Sequence, residues 1–120
     1  MRTFHIRLAA SALVAMVTAA CGSSFPPPND EYSAATNEVG RAESGGAPGV
    51  PDAKLHLQLA QEDLQKSKGL IDQGENKRAA DLIAVARVEA QLALSLAKQQ
   101  QAEEQARHAQ ADLAKAKGGQ

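Results

Sequence analysis

Between residues 55 and 97 apolar side chains return at steps of three and four, and the pattern is interrupted once by a glycine turn. Leu57, Ala60, Leu64, Ser67 and Ile71 mark one face of a helix, widened by Leu55, Leu59 and Leu70. Ala79, Ile83, Ala86, Ala90, Ala93 and Ala97 mark the face of a second, supported by Leu82, Val85 and Leu94. Pro51 and Asp52 suit the first turn of the earlier helix. The stretch Asp72 to Asn76 is a turn, in which Gly74 can take the left-handed conformation that closes a helix. Glu62 and Lys66 form an i,i+4 pair in the favourable orientation. Of the 39 residues from 79 to 117, 13 are alanine and none is Gly or Pro, so intrinsic propensity favours one long helix. The pattern predicts an antiparallel helical hairpin, 52–72 and 76–117.

A shorter helix is predicted over 30–44. Tyr32, Ala35, Val39 and Ala42 share a face, Asn29 or Asp30 is placed to cap it, and Ser44-Gly45-Gly46 ends it. Gly40 weakens it, and a helix of this length is marginal alone. At 1.5 Å per residue the last helix spans about 58 Å and the middle one about 31 Å, so the last must overhang. The linker GAPGVP permits a reversal of the chain. The expected fold class is therefore all-α: a small three-helix bundle with an overhanging C-terminal helix. The alternative is a long extended helical hairpin, with the first helix continuing past the break along the overhang. Ala102, Ala106, Ala109 and Leu113 repeat in the overhang at heptad-like steps, but two alanine-rich heptads are too short to argue a coiled coil. A solvated tail is expected there.

The N-terminus follows other rules. Arg2 and Arg7 precede an apolar segment of 13 residues, Leu8 to Ala20, followed by Cys21. A basic stretch, an apolar stretch and small residues in that order make a secretory signal, read over 1–20. The segment is too short to span a bilayer, which takes roughly 20 residues. Cys21 is the only cysteine, so no intramolecular disulfide can form. Gly22-Ser23-Ser24-Phe25 supplies no base, cation or co-ligand for a reactive or metal-bound thiolate.

The residues VTAAC, Val17 to Cys21, resemble a lipobox, with Thr18 where leucine is commonest. That resemblance implies cleavage before Cys21, diacylglycerol on its thiol and acylation of the new amine. Three acyl chains would hold the protein to a membrane permanently. Gly22 after the cysteine, rather than aspartate, resembles the signal for the outer membrane over the inner one. Residues 21–29, with Pro26-Pro27-Pro28, read as an extended tether. The folded domain is expected over 30–117, and 118–120 as a C-terminal tail.

Cleavage would remove Arg2 and Arg7 and take the formal charge from −1 to −3. That is no electrostatic footprint for nucleic acid. The mature part would hold only Phe25 and Tyr32 as aromatics, and so only a thin core with no room for a small-molecule pocket. His56 and His108 lie on different helices with no cluster of ligands around either, so no metal or cofactor site is expected. Glu62-Asp63 and Glu103-Glu104 are helix neighbours about 100° apart and do not form acid/base pairs. Ser67 and Ser95 lack a nucleophile context. No catalytic residue is expected, and the chain reads as something other than an enzyme.

The order of segments, and the run from Leu57 through LAQEDLQKSKGLIDQGENKRAADLIAVARVEAQLALSLAK, resemble the bacterial lipoproteins catalogued as domain of unknown function 4398, over about residues 30 to 117. The shared pattern is a Leu/Ala helix, a turn with glycine before a charged residue (Gly74-Glu75) and an Ala-rich second arm. The resemblance implies a cell-envelope location and transfers no catalytic residue. A lipid-anchored interaction or scaffold module, facing the periplasm and binding another envelope protein, is the expected role. A structural spacer or non-covalent peptidoglycan-associated lipoprotein is the alternative. Lys117-Gly118-Gly119-Gln120 does not support attachment to the wall through a terminal lysine.

Overall fold

A computed structural model describes residues 24–119. It contains α1 (Asn29–Ser44), a single 3-10 turn (Ala47–Gly49), α2 (Pro51–Asp72) and α3 (Asn76–Gly118). The helix bounds fall within one residue of those the pattern predicts. Cys21 and the signal-like segment lie outside the described residues.

The ends of each helix follow from local chemistry. α2 opens on Pro51, whose missing N–H costs nothing at a first helical position, and Lys54 N–H bonds Val50 O at 2.8 Å. Its C-terminus is a Schellman motif: Gly74 has φ 76°, Gly74 N–H bonds Ile71 O and Glu75 N–H bonds Leu70 O, each at 2.9 Å. The start of α1 differs from expectation. Neither Asn29 nor Asp30 caps it; the flanking residue is Pro28, and no side chain bonds the free N–H groups. Asp30 and Glu31 still face the positive end of the helix dipole.

The three helices form an up-down-up bundle, and the extended-hairpin alternative is not what the chain adopts. Two contacts set the direction of α1. Asn76 Nδ2, at the start of α3, donates to Phe25 O at 2.7 Å, and Gln101 Nε2 donates to Gly45 O at 3.0 Å. α1 therefore runs parallel to α3 from end to end, with α2 antiparallel to both. The reversal after α1 is compact rather than a loose linker. Gly46 takes φ 95°, and Ala47 inside GAPGVP is fully buried. A Cβ on Gly45 would come within 2.9 Å of the backbone oxygen of Arg41 and also meet Leu94 Cδ1 of α3, so that turn needs glycine for close approach.

α3 is the common wall. It packs extensively on both α1 and α2, which meet each other far less. Its buried row is Ala79, Ile83, Ala86, Ala90, Ala93 and Ala97, the row its periodicity predicts. α1 contributes Ala35, Val39 and Ala42, and α2 contributes Ala53, Leu57, Ala60, Leu64 and Ser67. Ten of the fourteen buried apolar residues are alanine, so cohesion comes from backbones held close, down to axial distances of about 8 Å, rather than from bulky side chains. Ser67 sits in this core because its Oγ donates to Leu64 O at 2.7 Å, leaving no unpaired hydroxyl. Three residues expected to widen the apolar faces do not do so: Leu55, Leu59 and Val85 are exposed. They lie on the edge of the α2–α3 seam away from α1, where no third helix covers them.

The bundle ends at Gln101. Every described residue from Gln101 onward is exposed, and the 17 residues 102–118 project about 26 Å as a single helix. The buried row of α3 explains the end point. Continued by helical spacing past Ala97, it becomes Gln101, Glu104 and His108, which offer nothing apolar to a neighbour.

A close-packed alanine row predicts a sharp contrast. Ala90→Leu should lower stability by about 1–3 kcal/mol through overpacking. The same change at Ala111, on the solvated overhang, should stay within about 0.5 kcal/mol. Urea unfolding followed by circular dichroism measures both.

Candidate functional site

The polar groups brought together by this packing are few, and all but the buried Asn76 Oδ1 have an identifiable partner. The most notable is His56 of α2. Its Nδ1 lies 2.5 Å from Glu89 Oε2 of α3, with both side chains about three-quarters buried at the edge of the seam. The ring N–H donates to the carboxylate, which makes this a strong hydrogen bond between helices. Helical spacing does not reveal this pair, because Glu89 is 33 residues distant from His56 rather than one turn away. The register of the hairpin is the signal that could have found it. With the turn centred on Gly74, antiparallel pairing brings the mid-fifties of α2 opposite the turn of α3 around residues 89–93. His108, the other histidine of the described part, stands exposed on the overhang.

Toward the free end of the bundle, Gln61 Nε2 of α2 donates to Glu43 Oε1 of α1 at 2.6 Å. Together with Gln101 and Gly45, this ties the last turn of α1 to both other helices. At the opposite end, Asn76 holds Phe25 O, so the described part of the expected tether is docked on the start of α3, and Pro28 is buried there. Asn76 Oδ1 is buried without a hydrogen-bond partner. Elsewhere, ion pairs follow the helical repeat: Lys66 with Glu62 at 3.7 Å and with Asp63 at 3.4 Å, Lys77 with Asp81 at 3.1 Å. These exposed pairs each contribute a few tenths of a kcal/mol.

Concavities are shallow. A cleft of ≈ 450 Å³ between α1 and α2 runs past Tyr32, Val39, Gln61, Leu64 and Lys68 and opens broadly to solvent. Another, of ≈ 320 Å³, lies between Phe25 and the first turn of α3, by Gly74, Asn76 and Arg78. Ser24 and Glu75 both line the second without a hydrogen bond between them, Glu75 being engaged by Arg78, and His56 and Glu89 line neither cleft. Among the described residues no group of three or more His, Cys, Asp or Glu could hold a metal ion. No described helix is long and apolar enough to cross a membrane. Chemically, then, the arrangement clamps helices: His56–Glu89 fixes the α2–α3 register, and Gln101–Gly45 and Asn76–Phe25 fix the two ends of α1. The carboxylate pairs Glu62-Asp63 and Glu103-Glu104, and the hydroxyls Ser67 and Ser95, are engaged in helix-local contacts or open to water.

The family model described as "Domain of unknown function (DUF4398)" matches residues 30–109, from the first turn of α1 to the middle of the overhang. No curated protein matches the chain, and no solved structure does.

The clamp reading predicts a loss on removing either side and coupling between the two. In a double-mutant cycle of His56→Ala and Glu89→Ala, the coupling energy should be about 0.5–1.5 kcal/mol, read from urea midpoints. A value near zero would mean that the pair is incidental.

Proposed function

The chain belongs to the DUF4398 family, and we propose that it is a lipid-anchored envelope protein whose bundle holds a projecting helix for contact with another envelope component. The observation that carries this reading is the polarity of the molecule. The chain enters at one end of the bundle, where Phe25 docks on Asn76, and an exposed 17-residue helix leaves from the other. With Cys21 acylated, three residues before the described part begins, the Asn76 end faces the lipid surface and the overhang points away from it. A bundle of close-packed alanines is a stiff base for such a helix. An activity by protein contact, rather than by catalysis, suits clefts this open and a family that supplies no catalytic pattern. The membrane proposed is the outer one, with the domain facing the periplasm, no nucleic acid or small-molecule substrate, and a protein partner.

The second reading is a spacer touching peptidoglycan without a covalent bond, and the reach of the overhang favours it. The two part company on what the exposed helix binds. In cells, a photo-crosslinking residue in place of Gln105 should trap a protein band under the first reading and wall fragments under the second. A chain that traps neither would remove both.

The anchor has its own test. Cys21→Ala should leave the precursor uncleaved and without acyl chains, read by mass spectrometry of the membrane fraction. Normal maturation of that variant would refute lipidation.

A further inference from the structure

The large apolar side chains of α3 that stand in solvent are four: Val85, Val88, Leu92 and Leu113. All four fall on one heptad seam. Stepping by three and four from Val85 passes Val88 and Leu92, crosses Ser95 and Gln99, and continues through Ala102, Ala106 and Ala109 to Leu113 and Ala116. Only Ser95 and Gln99 interrupt it, and each residue on it is exposed. It covers 32 residues, more than four heptads and about 48 Å, which is length enough for a coiled coil. Neither α1 nor α2 covers it, because the row they bury, including Ala86, Ala90 and Ala97, lies on the other side of the helix. α3 thus has two apolar faces, and its own chain covers one.

We infer that the second face pairs with a second copy of this chain, α3 against α3, in a parallel coiled coil. Charge complementarity chooses both the occupant and the direction. With Val85 and Val88 at the two seam positions of the heptad, Lys98 and Asp112 flank one side and Glu103 and Lys117 the other. Parallel, in-register pairing sets each flanking residue against the one five positions on in the other helix. Lys98 then meets Glu103 of the second copy, and Asp112 meets Lys117 of the second copy, four ion pairs by symmetry. Within the chain, Lys98 and Lys117 form no ion pair among the described residues. The antiparallel register that matches the same apolar residues sets Lys98 against Gln105 and its own counterpart, and Glu103 against Leu96 and its own counterpart. The one opposite-charge contact there is Lys117 with Glu89 of the second copy, and Glu89 is already held by His56. Gln99 adds direction: in the parallel pair the two copies face each other on the axis, where amide can bond amide, as single polar seam residues do when they fix register. In the single chain one N–H of Gln99 already donates to Glu103 Oε1 at 2.9 Å, which leaves the second N–H for its counterpart. Parallel pairing also brings the Phe25 ends of both bundles to the same side. The inference stands on α3 alone and holds whether or not Cys21 is acylated.

The test uses the full chain in mild detergent. Sedimentation equilibrium should give a dimer at micromolar concentration. The double variant Val88→Glu/Leu92→Glu should sediment as a monomer with unchanged helix content, since both positions are outside the bundle core. Lys98→Glu should weaken the dimer roughly tenfold, as two attractive contacts become repulsive, and adding Glu103→Lys should restore it. In a Cys21→Ser background, oxidation of Gln99→Cys or Ala106→Cys should link two chains through the same position, while Ala111→Cys, on the opposite face, and the background chain itself should not be linked. A monomeric chain overturns the inference. So do rescue that fails, linking at Ala111→Cys equal to that at Gln99→Cys, and a dimer that survives the glutamate substitutions.

Discussion

The row of small residues on α3, Ala79, Ala86, Ala90, Ala93 and Ala97 around Ile83, is the constraint on which the structure depends. Alanine buries less area than leucine, so a core made of it is stable only if the helices approach closely enough for backbone and Cβ atoms to touch over long stretches. That demand spreads outward. It requires a long straight helix to pack against, which the Gly- and Pro-free run of α3 supplies. It requires small residues on the facing helices, met by Ala35 and Ala42 in α1 and by Ala53, Ala60 and Ser67 in α2. It also requires tight turns, which is why glycine stands at 45, 46 and 74.

Such packing specifies weakly on its own, because rows of alanine can slide by one turn at little cost. The polar contacts between helices supply what the alanines lack. His56 with Glu89, Gln61 with Glu43, Gln101 with Gly45 and Asn76 with Phe25 are each satisfied only in one register. They sit at the edges and ends of the bundle, where water competes, so their contribution to stability is modest. Their value is in direction and alignment. The chain is thus held by a dry, featureless core and aligned by a small set of rim contacts, and the projecting helix inherits its direction from both.

The helices themselves were legible from the residues. Steps of three and four, glycine after each helix and proline before α2 are local signals, and the bounds they predict agree with the structure to within a residue. The buried row of α3 was legible for the same reason, since a 3.6-residue period assigns each side chain to a face. The faces of α2 were less so. Leu55 and Leu59 look like core by composition, but burial depends on whether a neighbour is present, and α1 lies on the other side of the seam. The cap at Asn29 or Asp30 failed for a related reason: Pro26 to Pro28 enter the helix from a docked position, with Pro28 in the flanking place.

What the sequence by itself determined is the set of helices, their order and the face each would bury, because these follow from neighbours three and four residues away. Where α1 lies, which direction it runs, where the bundle stops and which leucines stay in water were decided only by the tertiary structure. Those depend on contacts such as His56–Glu89 and Gln101–Gly45, between residues 33 and 56 positions apart, and no local period encodes them.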